Sequence, residues 1–429
     1  MKTTLKNGWL IDPANETNRI CDIHIAEGVI AGVGEIPSDF HPDRVVDLKG
    51  LTVIPGIIDL RARAHEPGEE DKATIASESA AAVGGGITRL VYPPDTLPVV
   101  DTPAMARMIQ DRAQSSDLAR IHPLGALTVG LEGEKLTDMA MLMDAGCIGV
   151  SNAGKPVLNT LVMRRAMQYA STYDITVFLT PKDPWLFGNG CVHEGETSTR
   201  LGLPAIPEAA ETVGVARDLA LIETSGASAH FDLISCRRSL EMIQEARDRG
   251  LPVTCSTPIH QLHLSEQDVT VFDSRYKVMP PFRALSDRDA LIDGVASGQI
   301  SAICSDHEPH SLDSKLMPFS EAAVGIAGLD SLLSLTLDLV AQGKLGIETA
   351  ISALTINPAR IIGLNSGHLG IGAAADICIY DPDETWVLDH STMISKGRNS
   401  PFMGKPLTGR VQITIVGGKI VYQKDENTL

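Results

Sequence analysis

Val53–Gly68 reads VIPGIIDLRARAHEPG, an apolar run that ends in a charged segment punctuated by proline and glycine. An apolar run without alternation suits a strand covered on both faces, as in a parallel sheet. Seven further runs follow: ITRLVYP (87–93), HPLGALTV (122–129), CIGVSN (147–152), ITVFLT (175–180), SAHFDLIS (228–235), LPVTCST (251–257) and ISAICSD (300–306). Amphipathic stretches lie between most of them, for example ETVGVARDLALIETSG (211–226) and SLEMIQEARDRG (239–250), each closed by a glycine. Eight repeats of buried strand then helix predict a (β/α)8 TIM barrel over residues 51–365. An open doubly wound sheet is the alternative, but no GxGxxG follows the first run.

Outside the barrel the texture changes. Residues 1–50 contain short alternating runs (TTLKNGWLID, DIHIAEGVIAGVG, RVVDLKG), with Asn7-Gly8 and Glu27-Gly28 as hairpin turns. Residues 366–429 repeat the pattern in ADICIYDP, TWVLDH and GRVQITIVGGKIVYQ, with Gly417-Gly418 as a tight turn. Such short strands bury an apolar face most simply together, so both termini are expected to form one small β-sandwich module.

Composition narrows the function. The 429 residues are 43% hydrophobic, 21% charged and only 4% aromatic, which suits an aliphatic α/β core better than a base-stacking platform. A formal net charge of −18 repels nucleic acid and anionic membrane alike, so neither is an expected partner. Seven scattered cysteines form no CxxC pair, and Cys255 and Cys304 sit in apolar strand runs as core residues. The start of the chain has no long apolar segment, and no run approaches a membrane span. A cytoplasmic location in a reducing compartment is expected.

In a barrel the chemistry stands just past the C-terminal ends of the strands. The first such end, Pro55-Gly56-Ile57-Ile58-Asp59 through Glu66-Pro67-Gly68, resembles the PGxxDxHxHxREPG opening of class I dihydroorotases, in the metal-dependent amidohydrolase superfamily. The resemblance extends over essentially the whole chain. It implies that fold and, in active members, a divalent metal held by the HxH imidazoles. Here Arg61 and Arg63 stand instead, and a guanidinium has no lone pair to donate. SNAG at 151–154 resembles the family's SDDG, with Asn152 and Ala153 at the bridging aspartate; Thr180 and Leu233 replace further ligand histidines. Only Asp306, the family's last ligand and proton shuttle, remains in SDHEPH (305–310). One carboxylate cannot hold zinc, so no metal cofactor is expected.

Substrate-gripping positions differ as well. His65 stands where the family has an arginine, Asp95 where MPNT has its asparagine, and Met279 where KxNPPLR has another. His260 and His310 match family positions facing the site, with His307 beside them. Segments that carry architecture match well, among them KVMPPFR (277–283) and SKGRNSPFMGKPLTGRV (395–411). Arg61 and Arg63 are read as filling the vacated metal volume and pairing with Asp306, with an anion site as the alternative. His260 with His310 could be a remnant acid/base couple, although buried pocket histidines are the simpler reading. His193, Glu194 and Glu196 look metal-like locally, yet fall in an expected solvated loop.

Taken together, the resemblance implies a pseudoenzyme without catalytic residues. It is most like the non-catalytic dihydroorotase-like subunits, notably of pseudomonads, that assemble with the aspartate carbamoyltransferase catalytic chain in pyrimidine synthesis. A hetero-oligomer with self-association is expected. A cyclic-amide hydrolase with altered or metal-free chemistry, and an anion-binding sensor, are the alternatives.

Overall fold

In the computed structural model, residues 2–424 are described; Met1 and residues 425–429 of the expected terminal module lie outside the described residues. The first long apolar run does not form one strand. It divides at Gly56: Thr52–Pro55 joins a sheet built from the chain ends, and Ile57–Asp59 opens the barrel. A side chain at Gly56 would meet Thr88 at 2.4 Å, so only glycine lets the chain cross between the two layers there.

Eight parallel segments follow the barrel order. They are Ile57–Asp59, Ile87–Tyr92, Arg120–Pro123 continued by Gly125–Ala126, Val150–Ser151, Val177–Leu179, Ala229–Phe231, Val253–Pro258 and Ala302–Cys304. Neighbours pair in parallel along this order. Closure comes where the last segment meets the first: the Arg63 amide donates to the His307 carbonyl at 2.9 Å, and the His307 amide to the Arg61 carbonyl at 3.2 Å. Buried Asp59 reinforces the seam by accepting from the Ser305 amide at 3.0 Å and from the Ser305 hydroxyl.

Alternation along each strand sorts the core. Ile58, Leu60, Val91, Leu124, Phe178 and Cys304 form a cluster inside the barrel, while Ile57, Ile87, Val150 and Val177 join the larger core shared with the helices. Between strands, helices such as Ala209–Ser225 and Arg237–Asp248 end at Gly226 (φ +69°) and just before Gly250 (φ +88°), as their sequences require.

The chain ends form one eight-stranded sheet with its own apolar cluster, centred on Leu5, Leu10, Ile23, Ile25, Ile377 and Ile413. Lys2–Asp12 pairs with Thr17–Ala26 along one edge. Along the other edge it pairs first with Arg44–Asp47 and then with Thr52–Pro55. Asn7-Gly8 is therefore not a hairpin turn. It is a bulge inside a continuous strand, with Asn7 at φ +62°, set where the partner changes. A side chain at Gly8 would come within 2.7 Å of Val53. Glu27-Gly28 and Gly417-Gly418 do link antiparallel neighbours. Among the described residues, no helix is long and apolar enough to cross a membrane.

Candidate functional site

The first strand delivers Arg61 and Arg63 to the barrel mouth, two residues apart and so on one side of the chain. Arg61 is 3% exposed. Its Nη1 donates to Asp232 Oδ2 at 3.1 Å and to Thr180 Oγ1 at 3.3 Å, and its Nε lies 3.5 Å from Asp306 Oδ1. Arg63 turns the other way, with Nη2 2.8 Å from Asp95 Oδ2 and Nη1 3.4 Å from Glu308 Oε2. The expected pairing with Asp306 thus holds for Arg61 alone. Arg63 pairs instead with Asp95 and Glu308. Both guanidiniums are already engaged, which argues against a free anion site.

Burial governs the charges here. It pushes Asp306 up to about 7 against the pull of Arg61 and Arg63, with Glu308 and Asp232 adding to the rise. Asp232 is likewise raised by burial to about 6, held down in part by Arg61. At Asp95 burial also opposes ionisation, but Arg63 outweighs it and the carboxyl lies below its ordinary value.

The other replaced positions serve local structure. Asn152 accepts from Thr128 Oγ1 at 2.7 Å and donates to the carbonyls of Lys155 (2.8 Å) and Leu131 (3.3 Å), so its amide is fully used in tying loops. Ala153, Leu233 and Asp306 all hold left-handed backbone (φ +50°, +57° and +46°), a conformation costly for any residue with a Cβ. Of these, Leu233 and Asp306 line the cavity above Arg61, while Ala153 does not.

His65 is buried, donates from Nδ1 to Glu69 Oε2 at 2.9 Å, and packs its ring 5.6 Å from that of His310. His310 donates from Nε2 to the Val324 carbonyl at 2.6 Å. His260 packs edge-on against Phe282. Among the described residues no hydrogen bond or ring contact joins His260 to His310, so the remnant couple does not form. Burial lowers both, His260 to about 3 and His310 to about 4, and keeps the rings neutral.

His307 faces away from the cavity. The capping box of Thr74 and Ser77 starts helix Ile75–Gly84 and sets Glu78 in its first turn, where Glu78 Oε2 lies 2.8 Å from His307 Nε2. The Gly328 amide donates to His307 Nδ1 at 3.1 Å, so the proton sits on Nε2. His193 is half-buried, 3.2 Å from Arg283, whereas Glu194 and Glu196 are exposed; the three do not converge.

The cavity above Arg61 has a volume of about 120 Å³ and is lined in part by Arg63, Lys182, Phe187, Met279 and Arg283. That is below the roughly 300–1,000 Å³ of ordinary small-molecule sites. The residues present do not fit a divalent metal. A fixed cation fills the centre, and among the described residues no three His, Cys, Asp or Glu side chains converge to hold one. Sequence reasoning missed Asp232, Glu308 and Glu78. Charge balance could have found the first, because an arginine at a buried strand end demands carboxylates at neighbouring strand ends.

Comparison with known proteins gives the family and the fold. Residues 50–239 match the family model described as dihydro-orotase-like, and residues 334–422 match one described as amidohydrolase family. A dihydroorotase-like protein of Pseudomonas aeruginosa is 41% identical over 99% of this chain and 100% of its own length. A dihydroorotase of Syntrophus aciditrophicus is 42% identical, again over 99% of this chain and 100% of its own. Among solved structures, L-hydantoinase (dihydropyrimidinase) from Arthrobacter aurescens superposes with a TM-score of 0.86 at 23% identity, covering 99% of this chain and 96% of that one. That likeness carries the fold: a TIM barrel with a terminal β-sandwich.

Proposed function

This chain belongs to the dihydroorotase-like family of the amidohydrolase superfamily, and we propose that within it the chain is a pseudoenzyme that assembles with aspartate carbamoyltransferase. The observation that carries the first half is the Arg61 guanidinium, seated among Thr180, Asp232 and Asp306 where metal chemistry needs open coordination positions. A hydrolytic metal site polarises substrate or activates water, and a guanidinium does neither by coordination. The partner follows from the family resemblance, and the well-kept architecture beside altered chemistry supports a role carried by shape.

The test is reconstitution. Purified chain is mixed with the carbamoyltransferase catalytic chain of the same cell and sized by light scattering, with dihydroorotase turnover and bound zinc measured in parallel. A defined mixed oligomer without turnover is the expected result. Stoichiometric zinc with turnover would overturn the reading.

A second reading, a cyclic-amide hydrolase of altered chemistry, draws on Asp306, whose carboxyl lies near neutrality in the mouth. It requires turnover of a cyclic amide that disappears in Asp306→Ala.

A further inference from the structure

Large apolar side chains are exposed unevenly at the two ends of the barrel. On the loops that follow strands, at the mouth, Leu158 is 59% exposed, Trp185 84%, Phe272 49%, Leu316 80% and Met317 49%. On the loops that lead from helices back into barrel strands, among the described residues, Tyr173 is the one such side chain. Exposed apolar clusters rimmed by polar groups mark interaction surfaces.

Two of these loops are held rigid in an unusual way. Buried Lys277 donates from Nζ to the carbonyls of Ser320 and Ala322, both at 2.8 Å. Buried Lys315 donates to those of Ala323 (2.6 Å) and Ser274 (3.1 Å). Neither amine has a carboxylate at salt-bridge distance among the described residues, and their hydrogen bonds clamp the segment carrying Phe272 to the one carrying Leu316 and Met317. A clamped loop loses little freedom on binding, which favours a docking platform over a moving lid.

The rim carries an excess of acid. Glu132, Glu134, Glu194, Glu196, Asp313 and Glu321 are exposed on these mouth loops, against Lys135, Lys155 and Arg200. Two copies meeting through this face would set acid against acid, whereas a partner with an apolar centre and a basic rim would be attracted. We propose that the barrel mouth is the face that docks a heterologous protein partner of that chemistry, with Trp185 and Leu316 as its anchors. The partner's identity rests on the assembly reading above, in which it is the carbamoyltransferase.

The experiment measures binding of purified full-length chain to purified carbamoyltransferase catalytic chain by calorimetry at two salt concentrations. Trp185→Asp and Leu316→Asp are compared with Ile20→Asp, an exposed apolar position on the terminal sheet. Each mouth variant should weaken binding about 30-fold or more, as a hot-spot residue does. Ile20→Asp should bind as wild type, and higher salt should weaken the wild-type complex. Unchanged melting temperatures would show that the folds are intact. Mouth variants that bind like wild type, or loss confined to Ile20→Asp, would overturn the docking face while leaving the assembly reading in place. No complex with wild type at either salt would sink both.

Discussion

Replacing Arg61 by alanine tests whether a guanidinium has taken over the centre of the barrel. The side chain is 3% exposed and faces two carboxylates that are themselves nearly buried, Asp232 and Asp306. Removing one partner of a buried ion pair leaves uncompensated charge and costs about 3–5 kcal/mol. At about 2.1 cal/mol/K per residue over this chain, such a loss lowers Tm by roughly 3–6 °C. The cost also depends on pH, with a definite sign. Both carboxyls already lie above their ordinary value in the folded chain, at about 7 and about 6. Without Arg61 they rise further, so folding must take up protons, and the deficit grows as pH rises through and above 7. Denaturant unfolding of wild type and Arg61→Ala at pH 8 and pH 5.5 reads this directly. The deficit should be smaller at pH 5.5 by at least about 1 kcal/mol. Adding Asp232→Asn and Asp306→Asn to Arg61→Ala should restore most of the loss at pH 8, since neutral amides need no counter-charge. A deficit below about 1 kcal/mol at pH 8, or one equal at both pH values, would refute the reasoning.

The double variant Arg61→His/Arg63→His should purify without stoichiometric zinc, because Asn152, Ala153, Thr180 and Leu233 supply no ligand and position 63 faces Asp95 and Glu308 while position 61 faces Asp232 and Asp306; elemental analysis after zinc dialysis checks this. Buried His260 stays neutral in the fold, at about 3 against 6.5 in the unfolded chain. Its contribution is therefore present above pH 6.5 and lost as pH falls, by about 1.4 kcal/mol per unit, and His260→Leu should flatten the stability profile between pH 6.5 and 5 by that slope. Glu78 is buried, accepts from His307, from Ser395 Oγ at 2.7 Å and from the Lys396 amide at 3.2 Å; Glu78→Leu should cost about 3 kcal/mol or more in urea unfolding by leaving these donors unpaired.

The barrel was legible because eight apolar runs at regular spacing have few other ways to bury both faces. That Arg61 and Arg63 cannot ligate a metal was legible too, because a guanidinium has no lone pair to donate whatever surrounds it. Where a run crossed between layers, the sequence misled: VIPGIIDL carries no polar mark at Gly56, and the split depends on Thr88 packing against a position 32 residues earlier.

Which charge meets which was decided only in three dimensions. Arg61 and Arg63 are chemically alike and two residues apart, yet one binds Asp232 and approaches Asp306 while the other binds Asp95 and Glu308. Those carboxylates come from different strand ends, up to 245 residues away. Residue type is a local property and fixes what a side chain can do. Coulomb pairing depends on distance across the closed barrel, so the partners, the raised carboxyls at Asp306 and Asp232, and the clamped apolar mouth belong to the tertiary structure.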